Sequence, residues 1–276
     1  MERLRIGIST CPNDTFAFHG LLSGAVRVPG VELDFVLADV EELNRGLLAG
    51  ALDVAKASFH AALHLRERCA VLAAGSAVGY GVGPVVLAPD ATRAERPPRR
   101  VLCPGEWTTA TLLYRLFHPG EGQLEQVVFS SIVPELEAGR ADRGVCIHEA
   151  RFTYAARGLF LVEDLGLSWE RATRSPLPLG GILGHKSLGE ELLARISGAI
   201  ARSIDCARAD PGAALATMRA HAQEQADAVL WAHVELYVSE ETRGLSERAR
   251  AALATLGERA AAAGLAPAGA PLAVVG

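Results

Sequence analysis

The sequence lacks most of what would mark a secreted, metal-bound or nucleic-acid-bound protein. Its 276 residues hold five cysteines, Cys11, Cys69, Cys103, Cys146 and Cys206, with no Cys-x-x-Cys pair. An odd, scattered set argues against a disulfide framework or a zinc site. Lysine is scarce although arginine is abundant, and the net charge is −5. Without clustered basic residues there is no footprint for a phosphate backbone. No run of about 20 apolar residues occurs, so no helical membrane span is expected. Residues 1–5 pass directly into a strand pattern, with no apolar leader. The expectation is a soluble, cytoplasmic protein with reduced thiols, binding neither nucleic acid nor membrane.

What is present is a large apolar fraction: half the residues are hydrophobic. That is enough core for one large α/β domain or two smaller lobes. Strand and helix patterns alternate. Residues 4–9 read as a strand, followed by the capping residues of Thr10-Cys11-Pro12-Asn13-Asp14 and a helix over 15–23. A strand that feeds straight into a helix start brings together unpaired backbone amides and a partial positive charge. Such a turn serves either as an anion site or as an ordinary loop. A strand over 31–37, a helix over 39–48 and a short strand over 54–58 follow. Ser58 then opens a helix over 59–66, where its hydroxyl either caps the helix or faces outward.

Residues 75–84 hold four glycines, in a spacing unlike a dinucleotide-binding fingerprint. A strand over 85–88 and a polar, proline-containing link over 90–100 come next. The second half repeats the theme. A strand over 100–103 meets a turn, and Thr108-Thr109 cap a helix over 110–117. A strand is expected over 126–130, a helix over 132–137 and a buried strand over 144–147. Trp169 is expected to pack, and a strand is expected over 182–184. From Gly189 the pattern is helical, with Leu192, Ile196, Ala199, Ile200 and Ile204 at 3–4 spacing. The Ala/Gly/Pro tail is expected to be loosely ordered. His185, His221 and His233 are read as structural or exposed.

Two segments echo each other. Ala49-Gly50 precedes Asp53 and a strand that ends at Ser58; Ala138-Gly139 precedes Asp142 and a strand that ends at His148. The shared Ala-Gly-x-x-Asp spacing suggests two similar α/β lobes that present strand ends to one cleft. The lobes are drawn as residues 1–88 with 180–276, and residues 97–176, crossing at 89–96 and 177–179. His148 stands where a buried strand turns polar, a position that open α/β sheets use for ligands. An imidazole there can take or give a proton near neutrality.

Six stretches together resemble one family. They are Ser-Thr-Cys-Pro-Asn-Asp-Thr-Phe (9–16), Gly-Val-Gly-Pro (81–84), Thr-Thr-Ala (108–110), Ile-His-Glu-Ala-Arg-Phe-Thr-Tyr (147–154), Leu-Pro-Leu-Gly (177–180) and Trp-Ala-His-Val (231–234). The family is that of 1,4-dihydroxy-6-naphthoate synthases of the futalosine route to menaquinone, and the likeness spans nearly the whole chain. It implies a two-lobed α/β fold like a type II periplasmic binding protein, with mixed sheets flanked by helices and a ligand cleft between the lobes. It implies a lyase that converts cyclic dehypoxanthine futalosine to 1,4-dihydroxy-6-naphthoate, with no metal or organic cofactor. The partner it implies is that small-molecule substrate, and it leaves room for a homodimer. By the resemblance, His148 is the proton acceptor, and Lys56, Ala57, Ser58, Thr109 and Ala110 contact the substrate. Ala57 departs from the larger apolar residue of some relatives, a change of little weight if that position offers only backbone. Glu149 or Asp14 would orient His148. Cys11, beside a helix start, is either a nucleophile or a packed thiol. The competing functions are a non-catalytic cytoplasmic small-acid-binding protein of the same fold and a chorismate dehydratase of the same route.

Overall fold

A computed structural model of the chain describes residues 2–148, 150–222 and 226–276. Among the described residues, twelve strands are arranged in two mixed sheets. In chain order they are β1 (Glu2–Ser9), β2 (Val31–Ala38), β3 (Val54–Ser58), β4 (Cys69–Leu72), β5 (Ala77–Gly79), β6 (Val85–Ala88), β7 (Arg100–Cys103), β8 (Gln123–Gln126), β9 (Arg143–Cys146), β10 (Phe160–Asp164), β11 (Leu177–His185) and β12 (Val274–Val275). The larger sheet runs β12-β4-β11-β3-β1-β2, with β5 also on β11. The smaller runs β10-β6-β9-β7-β8. In each sheet the echoed strand pairs in parallel with one neighbour, β3 with β1 and β9 with β7.

The two sheets divide the chain at other points than the pattern suggested. Residues 85–88 were expected in the first lobe, yet β6 pairs with β9 and β10 of the smaller sheet. Residues 177–179 were expected as a crossing, yet they already belong to β11, which pairs with β5. The chain therefore passes between sheets at 80–84 and again at 174–176. The first passage packs against the start of helix Leu165–Thr173, which leads into the second. A Cβ on Gly83 would lie 2.2 Å from the Gly166 backbone, so this crossing has room for neither side chain. Arg151 bridges the spot, donating to the Gly83 carbonyl at 2.8 Å and to Asp164 at 2.6 Å.

Local differences have local causes. The first helix is split into Pro12–Ala17 and His19–Leu22 by a break at Phe18. The expected strand at 126–130 ends at Gln126, and helix Phe129–Glu137 has begun by Phe129. The polar link carries a short helix, Ala91–Glu95, capped by Asp90. The tail is tied down where Val274 and Val275 pair in parallel with β4.

Helix Glu190–Ala209 lays Leu193, Ile196, Ile200 and Ile204 against Ile6, Ile8, Leu72 and Ile182 of the larger sheet. Each such buried aliphatic contributes ~1.5–3 kcal/mol. Trp169 is fully buried, and its indole N–H donates to the Pro176 carbonyl at 3.1 Å. Among the described residues no helix is long and apolar enough to cross a membrane.

Candidate functional site

Lys56, Ala57, Ser58, Thr109, Ala110 and His148 all line one pocket between the two sheets. Two strand ends and one helix start converge there.

On the larger-sheet side, β3 is buried along its whole length. Ala57 pairs with Gly181 of β11. A Cβ on Gly180 would meet the Ala57 carbonyl at 2.6 Å, so glycine is required for that approach. Lys56 Nζ donates to Asp14 Oδ1 at 2.6 Å and to the Gly75 carbonyl at 3.3 Å. The two carboxylate oxygens of Asp14 also accept from Ser9 Oγ at 2.6 Å and Asn13 Nδ2 at 3.0 Å. Side chains of this ion pair are 8% and 5% exposed. Buried charges persist only when paired and hydrogen-bonded in this way. Ser58 stands at the N-cap of helix Phe59–Leu65, but its side chain makes no capping hydrogen bond. Its amide donates instead to Asn44 Oδ1 at 2.9 Å, and Asn44 Nδ2 reaches Ser58 Oγ at 3.4 Å.

On the smaller-sheet side, Thr108 caps helix Thr109–Phe117 by accepting from the Thr111 amide at 3.2 Å. The amides of Thr109 and Ala110 come before the reach of the intrahelical ladder and carry the positive end of the helix. Thr109 Oγ1 donates to the Leu179 carbonyl at 2.6 Å and accepts from the His60 amide at 3.3 Å. The threonine hydroxyl thus ties this helix to the other sheet, and what it offers a ligand is its backbone. A second tie lies one turn earlier. Glu41 Oε2 accepts from the Trp107 amide at 3.1 Å, and Gly105, at φ +127°, has no space for a Cβ against Glu41. Burial raises the Glu41 carboxyl above its usual 4.5.

His148 follows β9 with φ 59°, in the left-handed region. Non-glycine residues held there carry strain of about 1 kcal/mol or more, a pattern common at functional sites. Cys11 Sγ lies 3.3 Å from His148 Nδ1 and 3.6 Å from Nε2, and Phe129 meets the imidazole edge-on at 4.7 Å. Cys11 is therefore in the pocket wall beside the candidate base, neither in the core nor on open surface. Of the two residues expected to orient His148, Asp14 belongs to the Lys56 ion pair and Glu149 lies outside the described residues. No cluster of three or more His, Cys, Asp or Glu suited to a metal occurs among the described residues.

The pattern missed His233 and Tyr237, which also line the pocket. His233 is buried, with its ring centroid 6.0 Å from that of His148 and 4.6 Å from that of Tyr237. Burial first, then the nearby His148 and Lys56, push its pKa down to about 3. Its one signal in the sequence was membership of the Trp-Ala-His-Val run.

A family model described as menaquinone biosynthesis matches residues 4–262. The chain is 46% identical to a 1,4-dihydroxy-6-naphthoate synthase of Thermus thermophilus over 266 residues, covering 96% of this chain and 97% of that one. It is 41% identical to a 1,4-dihydroxy-6-naphthoate synthase of Streptomyces coelicolor over 273 residues, covering 97% of this chain and 96% of that one. Among solved structures it resembles the alkanesulfonate-binding protein SsuA of Xanthomonas axonopodis, with TM-score 0.72, 16% identity and coverage of 99% of this chain and 98% of that one. That likeness shows the fold alone: a two-lobed, periplasmic-binding-protein-like α/β architecture with the cleft between the lobes.

Proposed function

The chain belongs to the menaquinone biosynthesis family, and from that premise we propose that it is a carbon–carbon lyase, converting cyclic dehypoxanthine futalosine to 1,4-dihydroxy-6-naphthoate. The observation that carries the reading is the convergence of the strained His148 and two unladdered helix amides on one pocket. The amides of Thr109 and Ala110 hold the aromatic carboxylate, as helix starts hold anions. Ser58 and Lys56 line the opposite wall and position the rest of the substrate.

Neutral His148 then removes the proton of a substrate hydroxyl. The freed oxygen pair becomes the carbonyl of the departing sugar-derived fragment as the carbon–carbon bond breaks. The bonding pair stays with the ring system, which goes on to aromatise. A base so placed supplies ~10²–10⁴-fold in rate. Closure of the lobes about the crossings at 80–84 and 174–176 excludes water and aligns the bond to be broken. The five cysteines form no disulfide, and we place the enzyme in the cytoplasm.

Separate incubations with cyclic dehypoxanthine futalosine and with chorismate test the reading. The expected result is 1,4-dihydroxy-6-naphthoate from the first and unchanged chorismate from the second. Dehydration of chorismate, or saturable binding of either acid with its full recovery, would overturn it.

A further inference from the structure

We propose that His233 contacts the substrate beside His148, as a neutral imidazole that donates a hydrogen bond to one hydroxyl of the substrate's sugar-derived part and accepts one from another. The inference deepens the function proposed above and rests on it.

His233 stands on helix Asp227–Tyr237, whose Leu230 and Val234 anchor the helix in an apolar cluster with Phe16, Ala214 and Met218. Its side chain lies beside theirs on the buried side of the helix and lines the pocket, with the His148 ring at 6.0 Å and the Tyr237 ring at 4.6 Å. The residue is only 3% exposed, and neither ring nitrogen has a hydrogen-bond partner among the described residues. Buried polar groups are nearly always bonded, because leaving one unbonded costs ~1–3 kcal/mol. The other buried polar groups of the pocket are bonded to one another: Lys56 to Asp14, Asp14 to Ser9, Ser58 to Asn44, Thr109 to Leu179. His233 breaks that pattern. A stable helix thus carries an unbonded imidazole into the substrate pocket at an energetic cost.

The chemistry of the ring selects its ligand. With a pKa near 3 it stays uncharged at neutral pH, so it forms no ion pair with a carboxylate. A neutral imidazole has one N–H and one lone-pair nitrogen. A carboxylate would answer only the first of these. A polyhydroxylated group answers both, one hydroxyl accepting from the N–H and a second donating to the lone-pair nitrogen. The carboxylated ring already has the amides of Thr109 and Ala110, so His233 faces the hydroxylated remainder.

The test compares wild type with His233→Phe, His233→Asn and His233→Gln, measuring kcat and KM on cyclic dehypoxanthine futalosine and the melting temperature without it. His233→Phe should lower kcat/KM by ~10–100-fold, the loss of one or two substrate hydrogen bonds. Its melting temperature should equal or exceed that of wild type, because a buried unbonded group has gone. Asn or Gln, whose amides place a donor and an acceptor near one ring nitrogen or the other, should recover part of the loss. A histidine that merely packs gives the opposite result: kinetics within about two-fold of wild type for Phe, or losses that only follow a falling melting temperature. Should the Phe variant not fold, Asn and Gln decide. Altered kcat or KM at unchanged melting temperature supports the inference, and unchanged kinetics overturn it. Wild type inactive on this substrate sinks the proposed function and this inference together; active wild type with an equally active Phe variant sinks this inference alone.

Discussion

Residues 48–58 and 136–148 build the same object twice and finish it differently. In each, a glycine at positive φ closes a helix, 70° at Gly50 and 66° at Gly139. In each, the aspartate three residues on accepts from backbone amides in or just before the adjacent parallel strand. Asp53 takes the Arg5 amide at 2.7 Å; Asp142 takes those of Arg99 and Arg100 at 2.9 and 3.0 Å. In each, a fully buried strand then runs to the pocket. At Ser58 the backbone stays extended, φ −69° and ψ 145°, and a helix follows at once. At His148 it turns left-handed. One copy thus ends in a rigid, hydrogen-bonded wall, and the other re-aims a single imidazole toward it. A common frame supplies binding, and one local strain supplies the reactive group.

The largest expected effect breaks the wall. Lys56→Met leaves Asp14 buried without its cation, which should cost ~3–5 kcal/mol in urea unfolding. His148→Asn should cost less than about 1 kcal/mol, because the frame of its copy does not depend on it. Equal losses for the two would erase the distinction between wall and reactive group.

A pH experiment comes next, centred on the helix after Ser58. His60 is held neutral mainly by burial, with its pKa lowered from 6.5 to about 4. Between those values the unfolded chain binds the extra proton. Stability is therefore full above pH 6.5 and falls as pH drops toward 4. At pH 4.5 the loss from His60 should be ~2–3 kcal/mol. Urea midpoints at pH 7 and 4.5 should converge for His60→Gln relative to wild type, and an identical drop in both would remove His60 from the account.

The aspartates compare the two copies directly. Asp53→Ala and Asp142→Ala should each cost ~1–3 kcal/mol, Asp142 the more because it answers two amides. Its carboxyl is held below 3.8, first by the Arg100 amide. Its contribution is present above pH 3.8 and lost as pH falls through the lowered value. A greater loss at Asp53 would reverse the expected order.

The smallest effect tests the left-handed turn. His148→Gly relieves strain but loosens the unfolded chain, so stability should stay within about 1 kcal/mol or rise. Ser58→Gly, on extended backbone, should lose ~1 kcal/mol. A larger loss at position 148 would mean that its conformation carries no strain.

Much of this frame was legible in the chain. Apolar alternation marked most strands, and the Ala-Gly-x-x-Asp spacing marked both copies, because turns and caps are local chemistry. Sheet membership was not: residues 85–88 read equally well as a strand of either sheet, since pairing with β9 is a long-range property. Phe129 and Ser130 passed for strand because two apolar residues stand just before the helix. The left-handed backbone at His148 has no residue signature, as a glycine there would have had. His233 looked like any histidine on an apolar helix. Its place opposite His148 depends on how residues 227–237 pack, and no local pattern encodes that.

The central claim is that the imidazole of His148 carries the proton transfer while the two-copy frame merely holds it. The direct measurement is turnover of cyclic dehypoxanthine futalosine by purified wild type and His148→Asn, alongside melting curves for both. The account predicts a fall in kcat of ~10²–10⁴-fold at a nearly unchanged melting temperature. Turnover within a few-fold of wild type in the folded variant would contradict it.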